Sequence, residues 1–496
     1  MPVSLLTVLQ AGEDMKRRTF LKAAAGTAVT ATLGTSPLFT QTAAKRDMTY
    51  EPNGALESLG LQIRDALKIL KNGEENNVPP VLREEILENP KAVFIIYGGI
   101  KTERDAKGRW ASCPDQMERY GRRVSDLVFR KGADKGGQTF IKPNIVGLSA
   151  RASDSSGGNV HPYFIVGMVD RLRDISNSNV AIGDRGALRH PQVISSGFQD
   201  LLDAHNLPFI EAHLQYFEDY EKSELMWHEN SKGRVARRFP TYRPAFEKKT
   251  TFVNIAHAHT HAVGHTTLSI KNLMGAMPRG YGHICDAWPT LDVWRRKYMK
   301  DFNRDYRTAI EKEFVRHINM GYKHWDHGGY YTAYQAHGGY EAFIKAYKAY
   351  DKLTGEERSK ALNSLYDIAD SWVFASEQWT QRMMDCVQVL PSPYVSMVEG
   401  TFARGAGRIV LADFVTAGRS MVSVDAVTSW LMGHDPRELP YLRIAAERGI
   451  GDNNIENIPV YLLDESGIKK ADYRTLKRDS LGIIINNRSD LGPQYF

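Results

Sequence analysis

Three imidazoles stand at alternate positions in His257-Ala258-His259-Thr260-His261, and His265 follows four residues later. On an extended strand the two-residue period would put all three rings on one face, about 7 Å apart. Neighbouring rings at that spacing can share one divalent metal such as zinc, nickel or copper, with the third ring in a supporting role. His283 or Asp286, on the loop that follows, would complete a three-ligand site with an open position. Imidazole also titrates near neutral pH, so these residues qualify equally as general acid or base, His261 foremost. A hydrated loop whose histidines satisfy backbone groups is the plainer alternative.

Directly downstream, the run from Thr266 to Gly275 combines hydroxyls with Lys271 and Asn272. Lys271 can hold a carboxylate or phosphate as a point charge, and Asn272 can orient it. Lys142-Pro143-Asn144 repeats that chemistry, with Pro143 limiting the freedom of the loop. Asp184, between Gly183 and Gly186, is a carboxylate with close backbone access. Taken singly, each is matched by a bland reading, such as a surface lysine beside a turn-forming asparagine. Three such loops aimed at one sheet edge would form a pocket of cations, amides and a carboxylate. His261, Lys271 and Lys142 are therefore the candidate catalytic residues. Asn144, Asp184 and Asn272 are the candidate substrate-binding residues, and His257, His259 and His261 the candidate metal ligands.

Other motifs carry less. Gly405-Ala406-Gly407 lacks the spacing and the helix of a nucleotide-binding turn. Ser423-Val424-Asp425-Ala426 begins an apolar helix, where an aspartate is expected to cap. His327-Gly328-Gly329-Tyr330 recurs ten residues later as His337-Gly338-Gly339-Tyr340, in the manner of turns between helices.

The elements that must position these groups alternate along the chain. Apolar runs at 92–97, 138–141, 179–182, 208–211 and 251–255 read as strands, separated by helical stretches at 115–130, 162–176 and near 195–205. That alternation predicts an α/β fold, a mostly parallel sheet flanked by helices. Residues 45–91 read as an N-terminal helical extension. Between 287 and 390 Trp, Tyr, Lys and Glu recur at helical spacing, which predicts a helical, aromatic-rich insertion able to close over the pocket. The α/β domain is thus expected over 92–286 and 391–496, with further strands at 394–398, 408–411 and 459–463 and helices at 425–432 and 437–448.

Compartment follows from the first 44 residues. Arg17-Arg18-Thr19-Phe20-Leu21-Lys22 precedes a weakly apolar run and a small-residue exit near Thr42-Ala43-Ala44, the order of a twin-arginine signal. The twin-arginine export machinery is the expected partner and the periplasm the expected location. No later stretch reaches the ~20 apolar residues of a spanning helix. The formal net charge of +6 on 496 residues is too diffuse to argue for nucleic acid. Cys113, Cys285 and Cys386 lie far apart without a C-x-x-C, which argues against a cysteine-ligated iron–sulfur cluster or zinc ribbon and leaves one disulfide or buried thiols open.

Taken in order, Lys142-Pro143-Asn144, Ile182-Gly183-Asp184, the 260–275 run, Ser423 to Ala426, Leu431-Met432-Gly433, Asp435-Pro436 and Ala445 to Gly451 resemble the DUF362 family. The resemblance covers 92–286 and 391–463, and implies an α/β fold with a pocket at these loops but no particular reaction. Family members commonly carry lysines where this chain has His257 and His259, and keep the last histidine, here His261. Either an anion-binding loop has become a metal-binding one, or His261 alone keeps the family role. The cysteine-rich ferredoxin-type module of some members has no counterpart in these residues, so the resemblance does not extend to electron transfer. The expected protein is a periplasmic enzyme that binds a metal, a small anionic substrate, or both. A non-catalytic metal- or ligand-binding protein and an accessory protein with no small-molecule site are the alternatives.

Overall fold

Apolar runs without polar alternation belong in strands covered on both faces, where neither side of the pleat meets water. The computed structural model of the protein describes residues 68–145 (except 69, 73, 107 and 112), 159–184, 224–277 (except 262 and 263) and 373–482 (except 406 and 407). Parts of 201–211 and a few positions between 303 and 357 are also described. The proposed signal segment and most of the 287–390 insertion, with Cys285, His283, Asp286 and both His-Gly-Gly-Tyr units, lie outside the described residues.

In chain order the strands are β1 (Val81–Leu82), β2 (Val93–Tyr97), β3 (Phe129–Arg130), β4 (Gln138–Pro143), β5 (Val180–Asp184) and β6 (Phe209–Glu211). A hairpin, β7 (Leu225–Glu229) and β8 (Arg238–Tyr242), precedes β9 (Thr250–His261) and β10 (His265–Thr267). The last third adds β11 (Val395–Gly405), β12 (Arg408–Leu411), β13 (Phe414–Gly418), β14 (Val460–Asp464) and β15 (Gly467–Lys470). Nine of them run side by side as β15-β14-β2-β13-β11-β9-β4-β5-β6, with β10 on β9 and β12 on β11. The stretch β11-β9-β4-β5-β6 is parallel throughout, as is β14 on β2, while β13 is an antiparallel wedge. The fold is thus α/β, as expected, on a mixed, mostly parallel sheet.

Helices α1 (Glu84–Glu88), α2 (Pro114–Val128), α3 (Pro162–Ile175), α4 (Arg243–Phe246), α5 (Ser269–Leu273), α6 (Val373–Val387), α7 (Met421–Leu431) and α8 (Pro440–Glu447) accompany the strands. α2 and α3 each start on a proline, whose missing N–H costs nothing in the first turn. Together they cover one face, over Phe94, Ile96, Ile141, Val253, Ile255 and Met397. Their backbones meet at two glycines: a Cβ on Gly121 would stand 2.1 Å from the Phe164 carbonyl oxygen, and one on Gly167 2.0 Å from that of Glu118. The opposite face packs Phe140, Phe252, Ala256, Ala258 and Val398 against residues of α5, α6, α7 and α8.

Three expectations shift. The described part of 45–91 is not simply helical, since β1 pairs antiparallel with β3 before the five-residue α1. The end of the expected insertion, α6, is part of the core: Trp379, Met383, Met384 and Cys386 are buried against the sheet. The 425–432 helix begins earlier, at Met421, and is capped by the Ser420 side chain, which accepts from the Ser423 N–H. Asp425 therefore lies past the first turn, fully buried. Cys113 and Cys386 are buried free thiols, and among the described residues no helix is long and apolar enough to cross a membrane.

Candidate functional site

The carboxyl ends of β4, β5, β9 and β11 lie side by side, and every candidate residue is on them, on the short α5 that follows β10 or, for Asn144, directly after β4. Lys142 is the penultimate residue of β4, level with Asn254 in β9, and its side chain is buried. Its ammonium donates to Asp184 Oδ1 (2.6 Å), Asn272 Oδ1 (2.8 Å) and the Pro143 carbonyl (3.1 Å). All three protons thus go to acceptors of the protein itself. Asp184 uses its other oxygen on the Ile145 N–H (2.7 Å), fixing the loop that leaves β4.

Asn272 locks this network to β9. Its amide nitrogen is within 3.1 Å of the Lys142 carbonyl, 2.8 Å of Asn254 Oδ1 and 3.0 Å of the Ile255 carbonyl. Asn254 in turn donates to the Ser269 carbonyl (2.8 Å). Asn144 Nδ2 reaches Asn272 Oδ1 at 3.5 Å, and its own oxygen is a buried acceptor without a protein partner. Gly275 closes the cluster because nothing larger fits: a Cβ there would stand 2.6 Å from Lys142 Cε and 2.7 Å from Asp184 Oδ1.

The histidines do continue the strand. β9 runs through His261, and the rings of His257 and His259 stand 5.7 Å apart, as neighbours on one face do. His259 Nδ1 is 3.2 Å from the His257 carbonyl, which assigns the proton to Nδ1 and leaves the lone pair on Nε2. His261 is the reverse tautomer, since its Nδ1 accepts from the Gly264 N–H (3.2 Å) and Nε2 must carry the proton. Its ring stacks on Trp379, centroids 6.0 Å apart. One acceptor nitrogen and one donor nitrogen are thus provided two residues apart.

All three imidazoles are held neutral. Burial pushes His257 down to about 3, aided by Arg404 and His161. His259 is lowered well below the usual range by burial, then by His257, Lys271 and Arg404; His261 is lowered by burial, then by Lys271, His259 and His265. Lys271 therefore stands among the imidazoles, while its neighbour Asn272 belongs to the Lys142 network. α5 is the junction of the two groups.

Two residues with no part in the sequence reading complete the picture. β11 is level with β9 as far as Glu399 and His257, then shifts register so that Arg404 comes opposite His259. Arg404 is half-buried, and no ion pair to it forms among the described residues. Glu399 is fully buried behind His257, its Oε2 3.8 Å from His257 Nε2 and 3.4 Å from the His161 N–H at the start of α3. The one ionisable residue in the otherwise uncharged Val395–Phe402 run was the available signal for Glu399. Arg404 had none, because a register shift leaves no local pattern.

The structure thus interlocks Lys142, Asn144, Asp184 and Asn272, and places His259, His261 and Lys271 together beside Arg404. Among the described residues no group of three or more His, Cys, Asp or Glu could hold a metal ion. Gly405 ends β11 and pairs with Arg408 at the start of the antiparallel β12, so the element after this motif is a strand and not a helix.

Over residues 139–430 the chain matches the model of a family described as "Domain of unknown function (DUF362)". No curated protein and no solved structure matches it.

Proposed function

The chain belongs to the DUF362 family, and from that premise we propose a periplasmic enzyme, exported by the twin-arginine route, that binds a small anionic substrate between Lys271 and Arg404. His259 Nε2 accepts a proton from that substrate and His261 Nε2–H donates one, both as neutral imidazoles. The observation that carries the reading is the company His259 keeps: a neutral ring, lone pair available, in the field of two cations. Cations of two kinds with no carboxylate pairing Arg404 among the described residues suit a carboxylate or phosphate guest. Lys142, Asn144, Asp184 and Asn272 hold the frame, with the Asn144 oxygen left as an acceptor. The reaction class is proton transfer on a small anion.

The experiment is mass spectrometry of small molecules bound to protein purified from the periplasm, followed by prolonged incubation with the identified compound. Chemical change that stops in His259→Ala supports the enzyme; return of the compound unaltered supports a non-catalytic binder. A metal reading is favoured by the closeness of the His257 and His259 rings. Stoichiometric zinc, nickel or copper that disappears in the His257→Ala/His259→Ala double variant would establish it.

A further inference from the structure

Asp425 does not cap its own helix. Its Oδ1 accepts from the Ser269 N–H (2.8 Å) and from the Ser269 hydroxyl, and its Oδ2 accepts from the Ile270 N–H (3.0 Å). Those are the first two amides of α5, which have no partner inside the helix. Leu268, the residue before α5, makes no side-chain cap. One turn along α7, the Ser429 hydroxyl is 3.3 Å from Thr266 Oγ1, and Thr266 Oγ1 is 2.9 Å from the Tyr441 hydroxyl of α8. Thr266 sits in β10 opposite Thr260, between His259 and His261. One helix therefore grips both halves of the site, the strand beside the imidazoles and the short helix that carries Lys271.

A five-residue helix has no stability of its own and takes its place from what holds it. Burying a carboxylate is costly unless its bonds compensate, and burial does push Asp425 up to about 7. The side chains bonded to it or to its partners are uncharged: Ser269 on α5, Tyr441 on α8, Thr266 on β10. We infer that Asp425 is a positioning residue of the anion site, fixing the first turn of α5 and so the place of the Lys271 ammonium relative to His259. The inference rests on the reading of Lys271 and Arg404 as an anion site.

The test uses the full chain and sulfate, a probe whose charge does not change between pH 6 and 8. Calorimetric sulfate affinity and amide hydrogen exchange at Ser269 and Ile270 are compared in wild type, Asp425→Asn and Leu127→Ala. Leu127 is a buried residue of the last turn of α2, in the core on the sheet face opposite α5, and supplies a loss of stability without touching the latch. Asp425→Asn turns an amide N–H toward donors. It is expected to weaken sulfate about tenfold and to lose protection at 269 and 270, while Leu127→Ala binds as wild type does. Unchanged affinity in folded Asp425→Asn overturns the inference alone; wild type that binds no sulfate overturns the anion site and the inference with it. Should Asp425→Asn fail to fold, Ser269→Ala removes only the hydroxyl bond: a severalfold weaker sulfate affinity is expected, and none sinks the idea.

Discussion

Lys142 and Lys271 carry the same ammonium and meet different surroundings. The first is one side of a buried ion pair with Asp184, its protons all taken up by the frame. Removing one partner of such a pair leaves the other charge stranded, at a cost of about 3–5 kcal/mol. Lys142→Met and Asp184→Asn are therefore each expected to lower unfolding free energy by that amount, and the double variant by less than the sum, as read by urea denaturation. Equal losses that simply add would dissolve the pairing. Acid stability offers a second check at this scale. His161 is buried with neither ring nitrogen partnered, and burial lowers it to about 3. Below pH 6.5 the unfolded chain takes up a proton there that the native state refuses, so this contribution to stability is present at neutral pH and drains away as pH falls towards 3. Relative to His161→Gln, wild type should lose on the order of 2 kcal/mol between pH 6.5 and 5; parallel pH curves for the two would contradict it.

Elements place these residues with little tolerance. Gly167 and Gly121 let α2 and α3 touch backbone to backbone, and a methyl at Gly167 must displace the Glu118 carbonyl. Gly167→Ala is expected to cost about 1–3 kcal/mol, visible as a lower Tm; an unchanged Tm would mean the helices are not so close. The elements themselves were largely legible: the apolar runs at 92–97, 138–141 and 179–182 became β2, β4 and β5 within a residue or two. What pattern could not reveal was direction and register. Lys142 after an apolar run reads the same whether it points outward or inward, and its level pairing with Asn254 decides the matter from more than a hundred residues away. Likewise the three histidines were legible as one strand face, but the arrival of Arg404 depends on a shift in β11 that separates two stretches each regular by itself.

The whole molecule combines a rigid frame with a small polar group at one sheet edge, in the position where open parallel sheets take ligands. A cofactor-loaded or ligand-loaded fold would suit export of a finished body, and the proposed twin-arginine route is tested by Arg17→Lys/Arg18→Lys. Cell fractionation should then show precursor retained in the cytoplasm; unchanged periplasmic yield would refute the route. The central claim is that Lys271 and Arg404 hold an anion next to His259. Sulfate titration followed through the ring ¹⁵N signals of His259 measures this directly in wild type, Lys271→Met and Arg404→Met. The account predicts that sulfate shifts the His259 resonances in wild type and binds at least tenfold more weakly in each variant. Identical titrations in all three proteins, or His259 signals that sulfate leaves unmoved, would contradict it.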